Sequence, residues 1–335
     1  MMRVGVIGAG AVGGTLAALL ARAGHDVQVT ARGEQLRAIR RDGIQLRGAW
    51  GDYTAMVSVA PLLDHAPELV LLTTKAQDAA AALADNAAYL VGIPVVVVQN
   101  GLESVATARR AAPGSDIVGG LAMFAASYLA PGVITVTAAG SLFLGGDNNI
   151  HDIPVRYAAK VLDGVMPVTV LQNFAGAQWT KLVVNQINAL PAITGLSAQA
   201  VVAAEPLLRI LTLSMSETVR VGFRNRVRFE TLQGLNARNL ALFARLPVPL
   251  ARQLPLRMVA RMGQTPNPGS TLQSILRGQA TEVDYLNGAV VRAADEVSML
   301  APINARLVQL VHEVERSGQF LSTADVTERV PLRLR

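Results

Sequence analysis

Between Arg3 and Arg22 the chain carries no charged residue, an apolar run close to what a membrane-spanning helix requires. A lone Arg before such a run is also how a secretory signal begins. The order of residues inside the run predicts something else. Val4, Val6 and Ile7 around Gly5 predict a short buried strand. Gly8-Ala9-Gly10-Ala11-Val12-Gly13 follows, then an Ala- and Leu-rich stretch from Thr15 to Ala23 that stops at Gly24, as helices do. His25 to Thr30, with Val27 and Val29 alternating, predicts a second strand. Strand, glycine turn, helix and strand within about thirty residues make a βαβ unit rather than a span.

The alternation continues. Glu34 to Arg41 predicts a helix, "GIQLRG" and "DYTAMVSVA" a hairpin pair of strands, and "ELVLLTTK" a strand followed by an Ala-rich helix from Ala76 to about Leu90. "PVVVVQNG" is apolar on both faces, as expected inside a parallel sheet. Further strands are predicted at "DIVGGLAMFA", "GVITVTAA" and "SLFLGG", a helix at "PVRYAAKVLDG" and a closing strand at "MPVTVLQ". Near Phe174 the pattern turns helical, with long apolar faces. The fold class is therefore α/β: an N-terminal Rossmann-type doubly wound sheet over residues 1–172, then an all-α domain over residues 173–335. "RLPVPLARQLPLRMVARMGQTPNPGS" is Pro-rich and predicts short helices broken at Pro247, Pro249 and Pro255, then a loop from Gln264 to Gly269.

Composition narrows the function. A chain of 335 residues exceeds what one core usually serves, which agrees with two domains. Cysteine is absent, which excludes disulfides and thiolate metal sites and is compatible with a reducing compartment; a cytoplasmic protein is expected. His25, His65, His151 and His312 are scattered without metal spacing, so no metal is expected, and each reads as a surface or turn residue. A net charge of +6 favours anionic ligands, but aromatic residues make up only 4%, too few for a base-stacking surface, so no nucleic-acid partner is expected. Arg220, Arg224, Arg226 and Arg228 read as a solvated face rather than a membrane patch.

The glycine turn is G-x-G-x-x-G in the context that gives the pattern meaning, after a strand and opening a helix. Gly8 allows the tight turn, Gly10 lets backbone approach a pyrophosphate, and Gly13 lets helix and strand pack closely. Ala9, Ala11 and Val12 complete the turn, whose helix-start amides face the anion. At the end of the second strand an NAD site expects a carboxylate for the ribose 2′-hydroxyl. Here the sequence is Thr30-Ala31-Arg32-Gly33, and the Arg32 guanidinium suits a phosphate, so NADP(H) is the expected cofactor. Lys75 after "LVLLTT" and Asn100 after "VVVVQ" stand at carboxyl ends of strands, where open α/β sheets bind ligands.

In the second half, "WTKLVVNQINALPAITG" places Lys181, Asn185 and Asn188 within about 60° of one another on an ideal helix, between apolar neighbours. Amides and amines buried without partners are costly, so this row marks either a satisfied polar seam or a ligand-facing stripe.

Together "GVIGAGAVGG", "ARGEQLRAIRRDGIQL", "LLTTKAQD", "VVVVQNGLES", "KLVVNQINAL" with "AITG", and "GSTLQSILRGQATEVDYLNGAVV" resemble the ketopantoate reductase (2-dehydropantoate 2-reductase) family, in that family's order. The resemblance implies an NADPH-binding Rossmann domain and a helical domain that binds substrate. It implies reduction of 2-dehydropantoate to pantoate, on the way to pantothenate. It gives Gly8, Gly10 and Gly13 the pyrophosphate, Arg32 and Lys75 the 2′-phosphate, and Asn100 a place beside nicotinamide ribose and substrate. Lys181 becomes the general acid and Glu282, in "TEVDYLNG", its neighbour in catalysis. Asn185, Asn188 and Ser270 become substrate-binding.

Three departures from the family pattern bear on the substrate. The two asparagines lie three apart rather than four, so Asn188 is turned by about 100° unless a local irregularity of the helix restores it. Ser274 stands where an Asp often follows "LQ". The segment from Phe223 to Pro268 is longer than usual. A reductase of another 2-keto acid on the same fold therefore stays open. An opine or glycerol-phosphate dehydrogenase would not be expected to carry Lys181 and Asn185 together with "TEVDYLNG", and a non-catalytic NADP sensor has no need of Lys181 or Glu282. The apolar helical faces would serve a homodimer or simply the core.

Overall fold

The computed structural model describes residues 1–146, 152–263 and 266–330; His151 and the first residues of the loop expected from Gln264 lie outside them. The chain divides into two compact units, Met1–Phe174 and Ala175–Arg335.

The first unit runs β1 (Arg3–Ile7), α1 (Ala11–Arg22), β2 (Asp26–Thr30), α2 (Gly33–Asp42), β3 (Ile44–Gly48), β4 (Tyr53–Ala55), β5 (Ser58–Ala60), β6 (Leu69–Leu72), α3 (Ala79–Asp85), β7 (Pro94–Val98), α4 (Ser104–Ala111), β8 (Asp116–Ala122), β9 (Ala125–Ala130), β10 (Val133–Ala138), β11 (Leu142–Gly145), α5 (Ile153–Asp163) and β12 (Val168–Val170). Eight strands form one sheet in the order β12-β11-β8-β7-β6-β1-β2-β5, parallel except where β11 meets β8. From β5 to β8 this is the dinucleotide-binding order, and it reverses direction at β1. Ile7 pairs with both Thr30 and Leu72, so β1, β2 and β6 end level. The fully buried side chains of β6 and the apolar run of β7 are covered on both faces, which is why their sequence does not alternate.

A smaller sheet, β4-β3-β10-β9, lies against α1. "DYTAMVSVA" is thus not one strand. Tyr53–Ala55 pairs with β3, and Ser58–Ala60 pairs with β2 at the edge of the large sheet. The chain changes sheets at Met56, which is 69% exposed, while Val59 turns inward. The Ala-rich helix is also shorter than its periodicity predicts. Asn86, buried, receives the Leu63 amide at 2.8 Å and donates back to the Ala82 carbonyl at 2.7 Å. An Asn that bonds nearby backbone competes with the helical ladder, and a 3₁₀ turn over Ala87–Tyr89 follows.

The second unit is helical: α6 (Phe174–Asn185, its first residue contributed by the preceding unit), α7 (Ala189–Thr194), α8 (Ala198–Ala203), α9 (Glu205–Arg224), α10 (Ala237–Arg245), α11 (Val248–Ala251), α12 (Gln253–Ala260), α13 (Gly269–Leu276), α14 (Asn287–Asp295), α15 (Pro302–Ser317) and α16 (Thr323–Arg329). Helix α9 is the spine, buried along most of its length. In the Pro-rich segment Pro247 caps α11 and Pro249 opens it, but Pro255 breaks nothing. It stands in the first turn of α12, where no intrahelical amide bond is needed. Helix α15 begins after Ala301, which cannot cap it. The carboxylate of Glu217 on α9 serves instead, accepting the Ile303 and Asn304 amides at 3.2 and 2.8 Å.

Candidate active site

In the first unit the residues expected at the cofactor stand at the carboxyl ends of β1, β2, β6 and β7. The turn Gly8–Gly13 leads from β1 into α1. Gly8 has φ +105°, and a Cβ there would sit 2.9 Å from the Thr74 amide nitrogen. A Cβ on Gly13 would fall 1.9 Å from the Gly8 carbonyl oxygen, so any larger residue would push the helix off the loop. A Cβ on Gly10 would meet nothing within 4 Å, and Gly10 caps α1 without a side-chain bond. Ala11 and Val12 in the first turn stay partly exposed. Open space over uncapped helix-start amides fits a pyrophosphate.

The loop has supports that pattern reading did not single out. The Gly8 amide donates to the Thr30 hydroxyl at 3.1 Å. The Thr73 hydroxyl donates to the Gly8 carbonyl at 2.7 Å. Gln35, buried on α2, donates to the Ala9 carbonyl and accepts the Gly132 amide, both at 2.7 Å. Gln99 donates to the Thr74 carbonyl at 2.7 Å and so ties the loop carrying Lys75 to the loop carrying Asn100. Only Gln99, directly after four valines, stands out in the sequence, and its partners are fixed only by the fold. Arg32 is exposed at the start of α2 and pairs with Asp85 on α3 at 2.9 Å.

In the second unit the polar stripe is not one continuous helix. Helix α6 ends at Asn185, Gln186–Asn188 forms a 3₁₀ turn, and α7 begins at Ala189. Pro191 explains the break. It has no amide to give the Ile187 carbonyl, and its ring crowds that carbonyl. The break changes the geometry of the asparagines. At three residues per turn, Asn188 comes round in line with Asn185, about 40° from the four-residue spacing instead of about 100°. Asn188 is buried and donates to the Asn185 carbonyl at 3.1 Å. Its Oδ1 lies 2.5 Å from where a Cβ on Gly269 would be. Gly269, at φ +70°, therefore admits Asn188 against the start of α13, next to exposed Ser270.

Lys181 and Glu282 come into electrostatic contact. Burial lowers the Lys181 ammonium to about 8 against the opposing pull of Glu282, although the residue keeps part of its surface in solvent. The same unit holds a buried polar network. Gln186 Oε1 accepts from Asn287 at 2.7 Å, and Asn287 also donates to Asn304 at 2.9 Å. The Ser214 hydroxyl lies 3.0 Å from both Gln186 Oε1 and Asn304 Oδ1 and donates its one proton to either. Asn304 donates to Glu217 at 2.6 Å. The network joins the 3₁₀ turn to the starts of α14 and α15. Ser274, at the position where an Asp was expected, is buried and donates to the Ser270 carbonyl at 3.2 Å. His312 is not a plain surface histidine; it bridges Asp284 and Glu315. Among the described residues no cluster of His, Asp and Glu could hold a metal ion, and no helix is long and apolar enough to cross a membrane.

Two family descriptions match consecutive parts of the chain: "Ketopantoate reductase PanE/ApbA" over residues 4–149 and "Ketopantoate reductase PanE/ApbA C terminal" over residues 173–315. The curated 2-dehydropantoate 2-reductase of Halobacterium salinarum is 29% identical over 95% of this chain and 100% of its own. That of Pyrococcus horikoshii is 26% identical over 95% and 99%. Among solved structures, a PanE/ApbA family ketopantoate reductase from Ralstonia eutropha JMP134 superposes with a TM-score of 0.79 at 28% identity, covering 94% of this chain and 99% of that one. D-Mandelate dehydrogenase, solved with NADH and anilino(oxo)acetate, shares the fold with a TM-score of 0.78 at 20% identity, over 94% and 99%.

Proposed function

The chain belongs to the ketopantoate reductase family, and from that premise we propose that it reduces the C2 ketone of 2-dehydropantoate to the alcohol with NADPH. The observation that carries this reading is the Lys181–Glu282 pair, an amine held near a useful ionisation by burial and an opposing carboxylate. A bound reduced nicotinamide supplies the hydride. The chain's own residues do the rest. As negative charge builds on the ketone oxygen, the Lys181 ammonium stabilises it and gives up a proton from Nζ. Glu282 keeps that amine charged near neutral pH. Asn185, Asn188 and Ser270 orient the substrate's hydroxyl and carboxylate groups. Gly8–Gly13 hold the pyrophosphate, Arg32 and Lys75 the 2′-phosphate, and Asn100 the nicotinamide ribose.

The 3₁₀ turn supports 2-dehydropantoate over other 2-keto acids, because it offsets most of the shortened asparagine spacing. The test is a panel of initial rates for NADPH and NADH oxidation with 2-dehydropantoate and other 2-keto acids. The highest kcat/KM with NADPH and 2-dehydropantoate is expected. A better rate with another acid would move the assignment to that acid on the same machinery.

A further inference from the structure

His312, on α15, has carboxylates on both ring nitrogens. Nδ1 lies 2.6 Å from Glu315 Oε2 and Nε2 lies 3.0 Å from Asp284 Oδ1. The other oxygen of Glu315 accepts the Thr281 amide at 2.7 Å. Thr281 and Asp284 flank Glu282, whose carbonyl closes the turn by accepting the Tyr285 and Leu286 amides at 2.9 and 3.0 Å. The turn is thus fastened to α15 on both sides of Glu282, once through Glu315 and once through Asp284, and both fastenings meet at one imidazole. We propose that His312 is a positioning residue that bridges Asp284 and Glu315 and so fixes where the Glu282 carboxylate stands relative to Lys181. The proposal rests on the roles given above to Lys181 and Glu282.

An imidazole facing two carboxylates donates to both only as the imidazolium; the neutral ring turns a lone pair toward one of them. The two carboxylates around it favour the charged form. Asp284 faces it from the turn and Glu315 from its own helix, while Arg292 of α14 lies across Gly288 on the side of Asp284. Burial opposes charging His312, but the hydrogen bonds to Glu315 and Asp284 prevail and raise it above its ordinary 6.5. Burial likewise opposes ionising Glu315, and the Thr281 amide and His312 prevail and lower it below 4.5. A histidine raised in the fold contributes fully below 6.5 and loses its contribution as pH rises through the higher folded value; a carboxyl lowered in the fold contributes above 4.5 and fails as pH falls. The clamp is complete between those limits and opens on the alkaline side.

The test is His312→Gln, whose donors sit on one nitrogen and whose other polar atom only accepts, so it cannot donate to both carboxylates. The readouts are NADPH affinity and initial rates with 2-dehydropantoate from about pH 6 to pH 9. In the wild type, KM for the keto acid should rise as His312 discharges. In the variant KM should be high and flat across that step, on the order of tenfold above the wild type at low pH. The alkaline limb of kcat should also move to lower pH, because a displaced Glu282 supports the Lys181 charge less. NADPH affinity should not change. Wild-type KM together with an unmoved alkaline limb would overturn the proposal. Should His312→Gln not fold, Asp284→Asn removes one bridge, keeps Glu315 on Thr281, and is read in the same way. Lys181→Ala in parallel separates the two levels of argument. Near-normal turnover there removes the catalytic reading itself, whereas an inactive Lys181→Ala beside an unaffected His312→Gln removes only the clamp.

Discussion

Replacing Glu282 by Gln removes a charge while keeping shape, and it tests how Lys181 is tuned. The amine ionises at about 8, lowered from 10.5 by burial and held up by Glu282. Without the carboxylate, burial acts alone. An opposing charge within a few ångströms is worth about one to three pH units, so the amine should ionise at about 7 or below. At about pH 7.5 the protonated fraction then falls from about three quarters to about one quarter or less, and reduction slows at least threefold from this cause alone. The assay is the pH profile of kcat for NADPH oxidation. The alkaline limb of Glu282→Gln should lie at lower pH than in the wild type, and much of the lost rate should return on acidification. On the proposed role, the neutral amine would be the base in the reverse direction, so oxidation of the 2-hydroxy acid should persist to lower pH in the variant. An alkaline limb that stays in place, or a rate that acid does not restore, would refute tuning by Glu282. The same lowered lysine sets a sign for stability. Between about 8 and 10.5 the unfolded chain binds the extra proton, so this group makes stability rise with pH across that window.

Arg32→Ala should weaken NADPH by roughly 10- to 150-fold, the worth of a charge-assisted hydrogen bond, with NADH unchanged in a fluorescence titration; equal loss for both would take Arg32 out of the phosphate site. The exposed pair with Asp85 contributes at most about 1 kcal/mol and does not change that ranking. Pro191→Ala gives the Ile187 carbonyl its helical partner and should turn Asn188 by about 60° away from Asn185. KM for the keto acid should rise with NADPH affinity kept, and an unaltered KM would show that the 3₁₀ turn does not matter for substrate. Glu217→Ala leaves the Ile303 and Asn304 amides without their cap and should cost about 2–4 kcal/mol, read as a lower Tm with kcat retained. A Tm within a degree or so of wild type would mean that water or a neighbour replaces the cap.

The sequence alone carried what depends on local order. The spacing of Gly8, Gly10 and Gly13 between a strand and a helix needs no distant partner to be read, because each glycine answers a steric demand of its own turn. The continuous apolar run of β7 shows burial on both faces, and Arg32 shows its charge wherever it stands. What the tertiary structure decided involves groups whose partners are remote in sequence. Asn86 ends α3 because Leu63 is beside it, and Val59 joins the large sheet because β2 offers an open edge. Gln35 looks like an ordinary helical residue until Ala9 and Gly132 are brought to it. The spacing of Asn185 and Asn188 was plain, but its meaning turned on the 3₁₀ turn before Pro191 and on the room that Gly269 leaves. In the sequence His312 looks like a surface residue, because nothing near it announces Asp284. An imidazole takes its state from the charges set against it; Glu315 comes with its own helix, but only packing α15 on the 281–286 turn supplies Asp284.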